Sequence, residues 1–249
     1  MAFPVIIHSQ ADAAHREDYA ATDQRWQLGQ KMITADGRAY RFHKVGASTL
    51  VVGDLVDGPA NITNHRATAA VARAAGAATI AATLGATLSA VNQYRGGYAS
   101  VVLDPGGGET YILNASLNVE THAAVASGGV ITATLATGET IVVALSTTSD
   151  ITWVLNPYSG TIQSPITTLT SSLIGVAVKA STTGRFGWIQ TRGIATILVS
   201  GTPVVGNNFV RLVAAAAAGG PGANDTAVIA GYVNDVGSTW AVVDLMIDG

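Results

Sequence analysis

The chain of 249 residues contains no cysteine. That excludes a disulfide framework, a thiolate metal ligand and a cysteine nucleophile, so stability has to come from packing or from assembly. Charge is also scarce. Asp, Glu, Lys and Arg make up 12% of the chain, against roughly 25% in ordinary soluble domains. A surface with so few charges must be covered by Thr, Ser, Asn and Gly, or be buried against other chains. The net charge is -3, and no cluster of Lys and Arg stands out, which argues against a nucleic-acid partner, whose phosphates dominate such affinity. No apolar run approaches the ~20 residues of a bilayer span, so no membrane partner is expected. Met1 to His8 lacks a basic stretch followed by a long apolar core, so no signal peptide is expected and folding is placed in a cytoplasm. The sequons at Asn61, Asn114 and Asn224 are therefore not expected to carry glycans.

Motifs for chemistry are missing as well. The five histidines, His8, His15, His43, His65 and His122, show no metal-ligand spacing. Gly106-Gly107-Gly108 is followed by neither Lys-Ser nor Lys-Thr and reads as a hairpin turn rather than a phosphate cradle. Glu109, Glu120, Glu139 and Asp150 each sit beside a turn, where solvated acids are ordinary. No G-x-S-x-G elbow occurs. These readings predict no catalytic residue, no metal and no cofactor.

What the chain does have is β pattern. Hydrophobic residues reach 48% and recur in short segments separated by turns. Lys31 to Ala35 and Arg38 to His43 flank Asp36-Gly37, the strongest short hairpin signal, because both turn positions tolerate positive φ. A strand and a loop are expected over 50–56, and strands on either side of Gly76 within 65–84, over 96–103 and 110–113, and then over 130–135, 140–145 and 151–155. This is the spacing of a sandwich or barrel. Further strands are expected over 174–178, 209–210, 228–233 and 239–247. Between them, Gly187 to Val199 reads as two strands meeting at Gly193, where the backbone can bend or bulge. The fold class is therefore all-β.

Residues 1–66 hold 7 of the 13 basic and 7 of the 16 acidic side chains. That shift sets a first boundary, and a polar connector near 165 sets a second. The expected organisation is an N-terminal arm and β-hairpin (1–66), a middle β-domain (67–165) and a C-terminal β-barrel (166–249). Phe3, Tyr19 and Trp26 sit among the charges of the arm, and they must either fold back on the body or dock on a neighbouring subunit.

Several strings carry a resemblance: Asn156-Pro157-Tyr158-Ser159-Gly160 through Ser164-Pro165, Gly187-Trp188-Ile189-Gln190-Thr191-Arg192-Gly193, Val204-Val205-Gly206-Asn207 and Val242-Val243-Asp244-Leu245. Upstream, Leu28-Gly29, Asp36 to Phe42 and Tyr94-Arg95-Gly96-Gly97-Tyr98 fit the same pattern. Together they resemble a group of tailed-bacteriophage virion proteins over nearly the whole chain. The resemblance implies a non-enzymatic cement or decoration protein that binds the outer surface of the major capsid protein lattice and stabilises the shell. It implies as partners the major capsid protein and further copies of this chain, as a trimer or dimer. It also implies a β-tulip-like C-terminal module and a place on the capsid exterior after assembly in the bacterial host cytoplasm. In that setting Phe3, Arg16, Tyr19, Arg25 and Trp26 are the expected shell contacts, while Trp153, Trp188, Gly193 and Trp240 are expected to hold the cores. A tail, baseplate or host-receptor-binding subunit fits the same features. A carbohydrate-active enzyme is a more distant alternative and would need two carboxylates about 5 to 10 Å apart.

Overall fold

A computed structural model describes residues 6–9, 14–103, 114–165, 171–199, 204–206, 208–211 and 228–248. The described chain is almost entirely β. Its strands are β1 (Ile6–Ser9), β2 (Lys31–Thr34), β3 (Ala39–Val45), β4 (Leu55–Asp57), β5 (Thr68–Ala69), β6 (Thr79–Thr83), β7 (Tyr98–Leu103) and β8 (Leu117–His122). They continue with β9 (Val130–Leu135), β10 (Asp150–Val154), β11 (Ser159–Gln163), β12 (Leu173–Ala177), β13 (Phe186–Leu198), β14 (Asn208–Arg211), β15 (Val228–Val236) and β16 (Trp240–Met246). Two compact units result, one made of 1–60 with 157–249 and the other of 61–156. The boundary expected near 165 thus falls at Asn156/Pro157, and the expected arm and hairpin share a unit with the C-terminal strands.

In the larger unit the Asp36-Gly37 hairpin forms as the sequence predicts, with Gly37 at φ 84° and Met32 opposite Tyr40. Strand β3 then pairs with β11, β11 with β4, β4 with β12, β12 with β13, and β13 with β3 again, closing a ring. Val45, Val56, Ile174, Ala177 and Ile189 form one cluster together with Leu50, the register shift between Leu173 and Gly175 letting Ile174 and Ala177 share it. Leu55, Leu173 and Val176, also on β4 and β12, pack against a second layer.

That second layer exists because β13 is one strand rather than two. Phe186 to Arg192 pairs with β3, while Arg192 to Leu198 pairs with β16. A register shift between Gln190 and Arg192 and a φ of 83° at Gly193 mark the change of partner. Such a bulge bends a strand and raises its twist. Beyond it, β13, β16 and β15 fold back so that Ala195, Ile197, Val233, Ala241, Val243 and Leu245 meet Leu55, Leu173 and Val176. The Leu198 N–H donates to the Gly53 carbonyl at 3.0 Å, tying the far end of β13 to the loop before β4.

The 61–156 unit is a sheet in the order β5-β10-β7-β8-β9-β6, and an Ala70–Ala82 bridge joins its two ends. Its inward side chains form one core around Tyr94 and Trp153, including Ile80, Val101, Val119, Ile131, Leu135 and Ile151. Strand β9 alternates strictly, with Ile131, Ala133 and Leu135 buried and Val130, Thr132 and Thr134 exposed. Gly76 turns the chain at φ 82°, and residues 69–75 are not helical, as expected.

Two expected strands are shorter or absent. Within 50–56 only Leu55 onward is a strand, because the Asp54 carboxylate accepts the Val51 N–H at 2.8 Å and turns the chain, leaving Val51 and Val52 exposed. Across 140–145 there is a single bridge, Leu145 to Arg73. There the Asn114 side chain satisfies the Val142 N–H and the Val143 carbonyl, at 2.9 and 3.0 Å, in place of a neighbouring strand. The expected strand at 110–113 and the Gly106-Gly107-Gly108 turn lie outside the described residues. Among those described, no helix is long and apolar enough to cross a membrane.

Trp153 is 1% exposed at the centre of the 61–156 core, and Trp153→Ala is expected to cost this unit about 3–5 kcal/mol. Hydrogen exchange on the full chain checks it. Amides of 61–156 should lose protection while those of β13 and β16 keep theirs.

Candidate functional site

The expected arm does not stand free. Tyr19 forms a two-way backbone bridge with Phe186, at 2.8 and 3.1 Å. Asp18 accepts hydrogen bonds from the Ser181 hydroxyl, at 2.6 Å, and from the Arg185 guanidinium. This anchoring lays Tyr19 and Trp26 over the outer side of β3 and β13, where Tyr40, Phe42, Phe186 and Trp188 would otherwise meet water. Phe42 is the hub. It stacks on Phe186 at 5.9 Å with planes 3° apart and meets Trp188 edge-on at 5.1 Å. Trp26 lies 5.6 Å from Trp188 and 5.9 Å from Phe42. Each such pair contributes about 0.5–1.5 kcal/mol beyond its burial.

The residues expected to touch a shell are therefore divided. Tyr19 is buried and Trp26 half-buried against this same chain, while Arg16 and Arg25 are exposed. Arg25 lies over the Tyr19 ring at 4.6 Å and pairs with Asp23 at 3.0 Å. Burial, followed by the hydrogen bond Tyr19 donates to Glu17, pushes the Tyr19 phenol up to about 12. Phe3 lies outside the described residues.

Of the residues expected to hold the cores, Trp153 and Trp188 do so, and Gly193 sits where β13 changes partner. Trp240 does not. It is 38% exposed, because alternation along β16 sends Ala241, Val243 and Leu245 inward and Trp240, Val242, Asp244 and Met246 outward.

That outward side borders an open cleft of ≈ 520 Å³ lined by Asp36, Gly37, Arg38, Arg192, Gly193, Ile194 and Asp244. The lack of a side chain at Gly193 shapes its floor, since a Cβ there would come 2.9 Å from the Arg38 Cγ. Asp36 and Arg38 neutralise each other, with the Arg38 Nε donating to Oδ2 at 2.6 Å. The Thr34 hydroxyl first, and Arg38 after it, hold the Asp36 carboxyl down at about 2. Arg192 and Asp244 take part in no ion pair among the described residues. The cleft therefore offers one unspent cation and one unspent anion beside exposed Ile194, a combination suited to binding. Sequence reading missed it, although the alternation in Trp240 to Met246 carried the signal.

The polar groups inside the fold are committed to structure. His43 is buried, its Nδ1 is 2.7 Å from the Thr161 hydroxyl oxygen, and that hydroxyl donates to the Lys44 carbonyl. His65 is bracketed by the Tyr94 hydroxyl and the Thr87 carbonyl. His122 accepts the Tyr94 N–H on Nε2 at 3.0 Å and donates from Nδ1 to the Ala123 carbonyl, which fixes a neutral tautomer. His15 stacks on Tyr40 at 4.9 Å. Asp248 takes two hydrogen bonds from Arg41, at 2.7 and 3.0 Å, with Lys31 3.5 Å away. Burial pushes the Asp248 carboxyl up, but Arg41 and Lys31 outweigh it and hold it below the usual range. Glu139 accepts the Asn118 N–H, Asp150 sits in β10 opposite Ala69, and Glu120 is exposed. Glu109 lies outside the described residues. Among the described residues, no three His, Asp or Glu side chains gather as a metal site would require.

No protein-family model, no curated protein and no solved structure matches the chain.

Burial lowers the His43 pKa from its ordinary 6.5 to about 4, with the charge of Asp18 acting in the opposite direction. Between those values the folded chain holds fewer protons than the unfolded chain, so stability rises with pH through that window and is lost on acidification. The full span corresponds to about 3 kcal/mol. Urea unfolding at pH 7 and pH 4.5 should show this loss. His43→Asn, which keeps a polar atom near the Thr161 hydroxyl, should flatten it.

Proposed function

We propose that this chain is a structural subunit of a tailed-phage particle, a cement protein that binds the outside of the major capsid protein lattice. What carries this reading is the kind of surface the fold presents. The chain has 12% charged residues and exposes apolar side chains at Val51, Val52, Leu88, Val91 and Val142 as well as on β13, β16 and β15, and the histidines His43 and His122 and the Arg41–Asp248 pair are spent on holding the fold. The resemblance of the sequence strings to phage virion proteins supports it further. Those strings fall on framework points: the Asp36-Gly37 turn, Tyr158 against Gly29, Trp188, Gly193 and the inward Val243 and Leu245.

Attachment in this reading rests on apolar burial and on main-chain pairing. Among the described strands, β1 and β14 lie at the ends of their sheet and can add to a neighbour's sheet. With few charges to screen, such attachment resists salt.

The first measurement is the copy number in purified particles relative to the major shell protein. A simple lattice fraction is expected, and a count of only a few per particle would move the chain to the tail or a vertex. The second is a wash of those particles from 0.1 to about 1 M salt, over which the Debye length shrinks from ~10 to ~3 Å. The protein should stay bound, and release by salt alone would overturn the attachment mode.

A further inference from the structure

An antiparallel sheet with one face in water normally alternates apolar inward and polar outward. The 61–156 unit follows that rule in part, exposing Thr83, Thr132, Thr134, Glu120 and Thr121, with Tyr98, Val102 and Val130 as apolar exceptions scattered over β7 and β9. The β13–β16–β15 layer departs from it further, with Thr196 the polar position between Ile194 and Leu198 on β13. Its inward face is filled, yet its outward face shows Ile194 at 51%, Leu198 at 37%, Tyr232 at 47%, Trp240 at 38% and Met246 at 57% exposure. The register makes these neighbours, with Leu198 opposite Trp240, Arg192 opposite Met246, and both Ile194 and Tyr232 opposite Asp244.

The charges on this face identify the occupant. Arg192 and Asp244 are exposed, lie on adjacent paired strands, and form no ion pair among the described residues. Asp36 and Arg38, across the cleft, already neutralise each other. A purely acidic or purely basic partner would satisfy one of the two free charges and repel the other. A copy of the same face, turned by a two-fold rotation, satisfies both, because in an isologous interface residue i meets j and j meets i.

We propose that the outward face of β13, β16 and β15 is a self-association surface. A second copy of this chain docks there about a two-fold axis, with Arg192 of each copy against Asp244 of the other. Ile194, Met246 and Tyr232 surround the paired charges and supply the apolar burial, and Leu198 and Trp240 extend it along the strands. This assignment gives the face to a second copy, so attachment to a shell falls to other surfaces, such as β1 and β14 at the ends of the sheet.

The test uses the full chain in sedimentation equilibrium over a range of concentrations. The wild-type chain should reach a dimer mass. Arg192→Asp alone sets two acids against each other at both ends of the interface, and Asp244→Arg alone sets two arginines there. Each should weaken dimerisation at least about tenfold. Mixing the two variants one to one should restore a dimer with one of each, because every opposed pair is again of opposite sign. Ile194→Lys, at an exposed position, should give a monomer with unchanged circular dichroism, which separates loss of docking from loss of folding. A concentration-independent monomer, a trimer, single variants that dimerise like wild type, or a mixture that fails to recover the dimer would each overturn the proposal.

Discussion

Strand β13 has to serve two sheets, and the larger unit is arranged around that requirement. Its first half completes the ring with β3 and β12, and its second half hydrogen-bonds to β16. A straight strand could not do both and still bury Ala195 and Ile197 against Leu55 and Val176. The bulge before Arg192 and the left-handed Gly193 supply the bend. From it follow the second apolar layer, the cleft beside Arg38 and the outward face on which Trp240 stands.

The anchoring of the N-terminal segment is a second consequence of the same strand. The first half of β13 turns Phe186 and Trp188 outward from the ring, next to Phe42 and Tyr40 of β3. So much aromatic surface requires a cover, which residues 18–26 provide. The salt-bridged Asp18 and the Tyr19–Phe186 backbone bridge fix the cover in place at one end. The Arg41–Asp248 pair ties the other end of the chain to β3.

Local signals in the sequence were reliable guides to local structure. Asp36-Gly37 gave its hairpin, the alternation of 130–135 gave β9, and the all-β class followed from short strands spaced by turns. What required the fold was knowledge of partners. Gly193 reads as a break because a glycine between two apolar runs ordinarily ends a strand, and only the pairing with β3 and then β16 shows that the strand continues. The apolar run 140–145 reads as a strand, yet the Asn114 side chain takes the backbone groups that a neighbour would have taken. Tyr19 and Trp26 left two readings open, fold-back or docking, and sequence spacing cannot tell which aromatic face they cover. The unspent Arg192 and Asp244 were equally hidden, since the register that places them together is a property of the sheet.

The connection between β4 and β11 bears on the order in which the chain acquires structure during synthesis. The two strands are paired neighbours, with Asp57 opposite Ile162, and Gly58 packs against Pro157. All of 61–156 is threaded between them as one contiguous piece. A contiguous unit can close as soon as it has left the ribosome, whereas the ring must wait for β11, β12 and β13. Until then β3 and β4 hold apolar side chains with no wall to lie against. The apolar side chains of β3 and β4 therefore lack these strand partners until residues 159–198 have been made.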